Sequence, residues 1–191
     1  MDRNLLFVGF GGIVVGVLLA GVVGFYALPG LMMQEDRSPH DFETTTALFE
    51  EEMDSGEWSI VTEHDMQATM EKHGHDVNQV VIYELCNPGH AAEILTVSEN
   101  LIVTPLMPCR VAIYEKADGN TYIGRMNSGL MAKPFGGTVS DVMQDAAAET
   151  EVVIDAVLDA PGAESTAALE SAAFESIKSE RTDVRAPAVV A

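Results

Sequence analysis

The segment Cys109-Arg110-Val111-Ala112-Ile113-Tyr114-Glu115-Lys116-Ala117-Asp118-Gly119-Asn120-Thr121-Tyr122-Ile123-Gly124-Arg125-Met126 decides the fold class. Cys109 to Lys116 alternates in polarity, as a half-buried strand does. Ala117-Asp118-Gly119-Asn120 supplies a hairpin turn, and Thr121 to Met126 reads as the returning strand. Two strands joined this tightly must run antiparallel. Upstream, Val77 to Cys86 is rich in Val, Ile and Tyr and reads as a central strand, and Trp58 to Thr62 as another.

Helical patterns surround these strands. Phe42, Leu48, Phe49 and Met53 fit one face of a short helix that ends at Gly56. His64 to His73 reads as a helix with Asp65 at its start and Gly74 at its end, where His73-Gly74-His75 complements the helix dipole. Pro88 opens a helix over Gly89 to Val97. Asn127 to Gly137 reads as a Gly-rich loop. Thr138 caps a long helix through Leu158, with Val139, Val142, Met143, Ala146, Val153, Ile154 and Val157 on its apolar side. The expectation is an α+β domain: an antiparallel sheet with helices packed on one face, preceded by a single transmembrane helix.

That helix comes from the first residues. No charged residue occurs from Leu5 to Met33, and about 20 apolar residues span a bilayer core. Pro29-Gly30 is expected to end the helix. No small-x-small cleavage site fits well near Ala27, so a retained anchor is favoured over a cleaved signal. Arg3 before the span favours a cytoplasmic N-terminus, by the positive-inside tendency. The expected location is the inner (cytoplasmic) membrane, single-pass, with the soluble domain on the periplasmic or extracellular side. Gly12, Gly16, Ala20 and Gly24 recur every four residues and form a stripe along which a second helix can approach closely. The partner is another copy or another membrane protein. The divisions read as anchor 1–34, linker 35–42, domain 43–158 and a loosely ordered Ala/Glu-rich tail 159–191.

The charge is uneven. Of 30 acids and 10 bases in the chain, residues 38–158 hold 21 acids and 5 bases. A domain this acidic repels phosphate backbones, which argues against nucleic acid and fits a solvated surface or a basic protein partner.

Two elements of the domain occur together. Cys86-Asn87-Pro88-Gly89-His90-Ala91, followed by Leu106-Met107-Pro108-Cys109-Arg110-Val111-Ala112-Ile113-Tyr114-Glu115, resembles the domain-of-unknown-function 302 family. Gly56-Glu57-Trp58, Glu63-His64-Asp65-Met66, the Asp118-Gly119 turn and Met126-Asn127 extend the resemblance to roughly residues 43–158. It implies a TATA-binding-protein-like α+β domain that often self-associates, without DNA binding and without an established reaction.

Cys86 and Cys109 are the two cysteines, each at a strand end beside a proline-containing turn. Three readings stay open: a structural disulfide in an oxidising compartment, two buried unreactive thiols, or a redox- or ligand-handling pair. His90 follows Cys86 by four residues, but Pro88 breaks the helix that would align them, so a Cys86/His90/Cys109 metal site is disfavoured and no metal or cofactor is assigned. Asn87 and Arg110 flank the pair and complete the ligand or redox candidates. Glu84 interrupts an apolar strand; it points to solvent or, if buried, pairs with Arg110. Met107, Met126 and Met131 either fill the core or line an apolar pocket. No phosphate loop, nucleophile elbow or zinc-hydrolase helix is present. The sequence therefore favours a non-enzymatic, membrane-anchored binding or accessory subunit, in an oligomer or larger membrane complex. The alternative is a redox or ligand-handling protein using Cys86 and Cys109, in sulfur or electron-transfer metabolism.

Overall fold

Alternation along the strands builds the core. The computed structural model describes residues 3–107 and 109–161, with side chains from Val15 onward. Strand β1 (Met33–Arg37) follows helix α1 (Arg3–Met32); then come α2 (Phe42–Asp54), β2 (Ser59–Asp65), α3 (Met66–Glu71), β3 (Val80–Cys86) and α4 (Pro88–Leu95). A 3-10 segment, Ser98–Leu106, leads to β4 (Cys109–Glu115), β5 (Thr121–Met126), α5 (Ser128–Ala132) and α6 (Gly137–Asp159). The five strands form one sheet in the order β1-β5-β4-β3-β2, and every neighbouring pair is antiparallel.

Val81, Tyr83 and Leu85 of β3, Val111 and Ile113 of β4 and Ile123 of β5 all point to one face. There they meet Phe49 and Met53 of α2 and Ile154 and Val157 of α6. The Phe49 and Tyr83 rings lie 5.2 Å apart, and the Tyr83 hydroxyl donates 2.7 Å to Glu50 Oε1. Each such side chain contributes roughly 1.5–3 kcal/mol by leaving water. A second cluster, Ile94, Val103, Ala132, Val139, Val142 and Met143, continues the core toward α4 and α5. The fold is thus the α+β architecture expected, with an antiparallel sheet and helices on one face.

Two glycines serve the β4–β5 hairpin. Gly119 holds φ +73° in the turn, where a side chain is strained. At Gly124 a Cβ would lie 2.9 Å from the Tyr114 ring, so the absence of a side chain lets that ring cross the strand.

Several boundaries differ from the sequence reading. Residues 35–42 are not a linker: Met33–Arg37 pairs with β5 from Met33↔Met126 to Arg37↔Tyr122. Ser38 and His40 are buried, and the Ser38 and Thr45 hydroxyls share a 2.7 Å hydrogen bond. Pro29 does not end α1; the helix continues until the chain is drawn into the sheet at Met33. β2 extends through His64, which is opposite Ile82, while Asp65 still caps α3 by accepting from the Ala68 N–H at 2.8 Å. Within 127–137 the chain forms α5, capped by Asn127 Oδ1, which accepts from the Leu130 N–H. Gly136 rather than Thr138 occupies the N-cap of α6. The tail beyond Pro161 lies outside the described residues.

Among the described residues one helix is long and apolar enough to cross a membrane. It contains Val15–Met32, of mean hydropathy 2.0, with none of that stretch buried against the rest of the chain.

Candidate functional site

Strand β3 delivers Cys86 to the edge of the core, and Asn87 turns the chain into α4. The Asn87 Oδ1 accepts from the Gly89 N–H at 2.9 Å and the His90 N–H at 3.4 Å, satisfying two of the free donors at the helix start. This cap aims His90 back over the strand ends. On the neighbouring strand Cys109 lies opposite Leu85, so its thiol faces the helices.

These residues meet in a single cleft. It is lined by Trp58, Leu85, Cys86, Asn87, His90, Ala91, Ile94, Met107, Cys109, Val142, Met143 and Ala146. Four of the sequence candidates, Cys86, Asn87, His90 and Cys109, therefore share one site. Arg110 does not line it. Adjacent strand residues point to opposite faces, and Arg110 projects to the open side of the sheet. There its Nε and Nη2 donate to Glu84 Oε1 at 3.0 and 2.7 Å. The guanidinium beside Glu84 holds that carboxyl below the usual range.

Glu149 of α6 organises the rim. Its Oε2 accepts from the Trp58 indole N–H at 2.9 Å and lies 3.0 Å from His90 Nε2, with Asn87 Nδ2 at 3.5 Å. The Trp58 and His90 rings are 6.0 Å apart. Glu149 carries no sequence signal of its own, being one carboxylate on a helix rich in them. Trp58 enters the sequence argument as a strand residue, and nothing local marks it as a rim residue.

Both cysteines are free thiols in this structure. Burial pushes the Cys109 thiol up, and the nearby Cys86 adds to the effect. Among the described residues no three His, Cys, Asp or Glu side chains gather as a metal-binding group. The Cys86/His90/Cys109 triad is thus not assembled: His90 Nε2 is turned to Glu149. The site is a soft, apolar slot with sulfur at its base and a Trp–Glu–His network at its mouth.

Of the helix-interface candidates, the surroundings of Gly12 lie outside the described residues. Ala20 is exposed, and a Cβ added at Gly16 or Gly24 would meet no atom within 4 Å, so among the described residues none covers this side of α1.

Residues 34–160 match the family model for the domain of unknown function DUF302. The chain is also similar to the crystal structure of an uncharacterized conserved DUF302 protein from Bacillus stearothermophilus, at 22% identity with a TM-score of 0.57. That likeness covers 68% of this chain and 97% of the other, and it reports the fold. No curated protein matches.

Proposed function

This chain belongs to the DUF302 family, and from that premise we propose that it is a non-enzymatic, membrane-anchored binding or accessory module with an exported acidic domain. One observation carries the reading. The 18 residues Val15–Met32 are apolar and wholly unburied. A chain in water does not leave so long an apolar surface uncovered, whereas a bilayer covers it without further contacts. The stripe Gly12, Gly16, Ala20 and Gly24 offers the helix side on which a second copy or another membrane protein packs. The acidic domain suits a basic protein partner. Fractionation of the full chain tests the anchor. Retention in the membrane pellet after alkaline carbonate is expected, and release into the supernatant overturns it. Gly16→Leu tests the helix contact, because an unchanged detergent-extracted assembly rules that contact out.

The cleft favours a second reading, in which the domain handles a ligand or a redox change through Cys86 and Cys109. Met107 and Met143 line the same slot, so thiols and thioethers together offer soft sulfur donors. Oxidation of the pair to a disulfide would release two protons and two electrons to an exchanging disulfide. Mass spectrometry of the chain after treatment with oxidised glutathione checks it. A loss of two hydrogens per chain, absent after Cys86→Ser with Cys109→Ser, is expected on this reading. Two thiols that stay unmodified, or that carry only glutathione, exclude it.

A further inference from the structure

We propose that the domain docks onto the bilayer through the apolar face beside the end of α1, so that a second, Met-lined pocket opens into lipid acyl chains. This rests on the anchor reading above and goes beyond it, because an anchored domain can equally well stand clear of the surface.

The geometry begins where α1 stops. Met32 is the last helical residue, and its carbonyl accepts from the Asn127 N–H at 2.8 Å. Met33 pairs directly with Met126. Asn127 in turn caps α5, so α5 sits at the mouth of the helix. Met126, Ser128, Met131 and Ala132 line one side of an apolar pocket. Val103 and Leu106 of the 3-10 segment and Met107 just after it, with Phe135, Val139 and Met143, close the other sides. Ser128 alone among these lining residues is not apolar.

The end of α1 reaches this pocket through Met126, which pairs with Met33 and lines the pocket wall. Leu31 and Met33 are 53% and 55% exposed, and Phe135 and Leu106 at the rim are 50% and 37% exposed. Exposed apolar side chains thus stand both at the helix end and at the pocket rim, which is what a bilayer interface would cover. Methionine side chains are flexible and unbranched, so they can part to admit a methylene chain. Lys133, two residues before Phe135 and exposed, is placed for its ammonium to meet headgroup phosphates while its stem lies along the apolar rim. The rest of the domain is acidic and gains nothing from an anionic leaflet, so the contact is apolar in character.

The full chain, reconstituted in phosphatidylcholine vesicles doped with an acyl-chain diazirine lipid, tests the proposal. After illumination, labelled residues are mapped by mass spectrometry. The expected result is label in α1 and also within 101–107 and 126–136. Label confined to α1 overturns the docking while leaving the anchor standing. Label in the two domain segments without α1 supports the docking and overturns the anchor. No label in either region overturns both. As a second variant, Phe135→Asp is expected to lose the domain label and keep that of α1; domain label unchanged by this variant overturns the assigned rim.

Discussion

Two of the sheet's arginines, on neighbouring strands β4 and β5, are bound to carboxylates in opposite surroundings. Arg110 sits on the open face, its side chain 55% exposed, and binds Glu84 across the β3–β4 pair, with His64 Nε2 3.5 Å from the same oxygen. Arg125 faces the helices, its side chain 8% exposed, and binds Asp36 of β1 and Glu151 of α6. The residue types match, but the roles do not. The exposed pair trades water for protein at nearly equal free energy. The buried guanidinium has lost its water, so both carboxylates are required to keep it satisfied, and in being satisfied it ties the edge strand to the core.

The sharpest way to break this comparison is to strip Arg125 of its partners. Asp36→Asn with Glu151→Gln should cost on the order of 3 kcal/mol in urea denaturation, because a buried cation is left uncompensated. A loss no greater than that of an ordinary surface change would make the two arginines equivalent. Replacing the cation instead, Arg125→Met, should cost less than the double carboxylate change. The methionine needs no partner, and Asp36 and Glu151, with side chains 46% and 35% exposed, can return to water. The reverse order of the two losses would refute the buried-cation account.

Arg110→Ala should be milder still, moving the urea midpoint no further than a typical surface substitution and losing even that effect in high salt. The smallest effect comes from acid. In the hairpin turn Asp118 accepts from the Asn120 N–H at 3.0 Å and from the Tyr122 hydroxyl at 2.9 Å. The Asn120 contact, with help from Tyr122, holds its carboxyl down from the ordinary 3.8 to about 2. A depressed carboxyl stabilises the fold above its unfolded pKa and loses that contribution as pH falls through the folded one. Asp118→Asn should therefore narrow the difference from wild type between pH 3.8 and about 2, leaving neutral-pH behaviour otherwise parallel. Acid unfolding curves that stay the same distance apart throughout would rule out this linkage.

The arginines also show what the sequence makes legible. The β4–β5 hairpin is plain because apolar alternation and the Asp118-Gly119 turn coincide. The Glu84–Arg110 pair follows from the same register, one strand over. β1 is not legible: Met33-Gln34-Glu35-Asp36-Arg37 offers no apolar alternation, since one face of this edge strand is bound by charge rather than by burial. Its partner Arg125 resembles any outward-pointing strand residue until α6 is laid across it. The cleft divides in the same way. Cys86, Asn87, His90 and Cys109 are found by their own chemistry and by nearness to strand ends. Trp58 and Glu149 are separated by 91 positions, and a hydrogen bond over that distance has no local pattern.

The junction at Met32 has a mechanical consequence. The last helical carbonyl is bonded to Asn127, and the next residue is already paired in the sheet, so no free residue lies between them. A swivel needs at least one residue whose φ and ψ are free to turn, and at the junction Met32 and Met33 are both held by backbone pairing. Helix and sheet therefore turn as one piece. A twist applied to α1 by a neighbour becomes a sweep of the whole sheet, with Arg125 as the pin that passes the torque from the edge strand to α6.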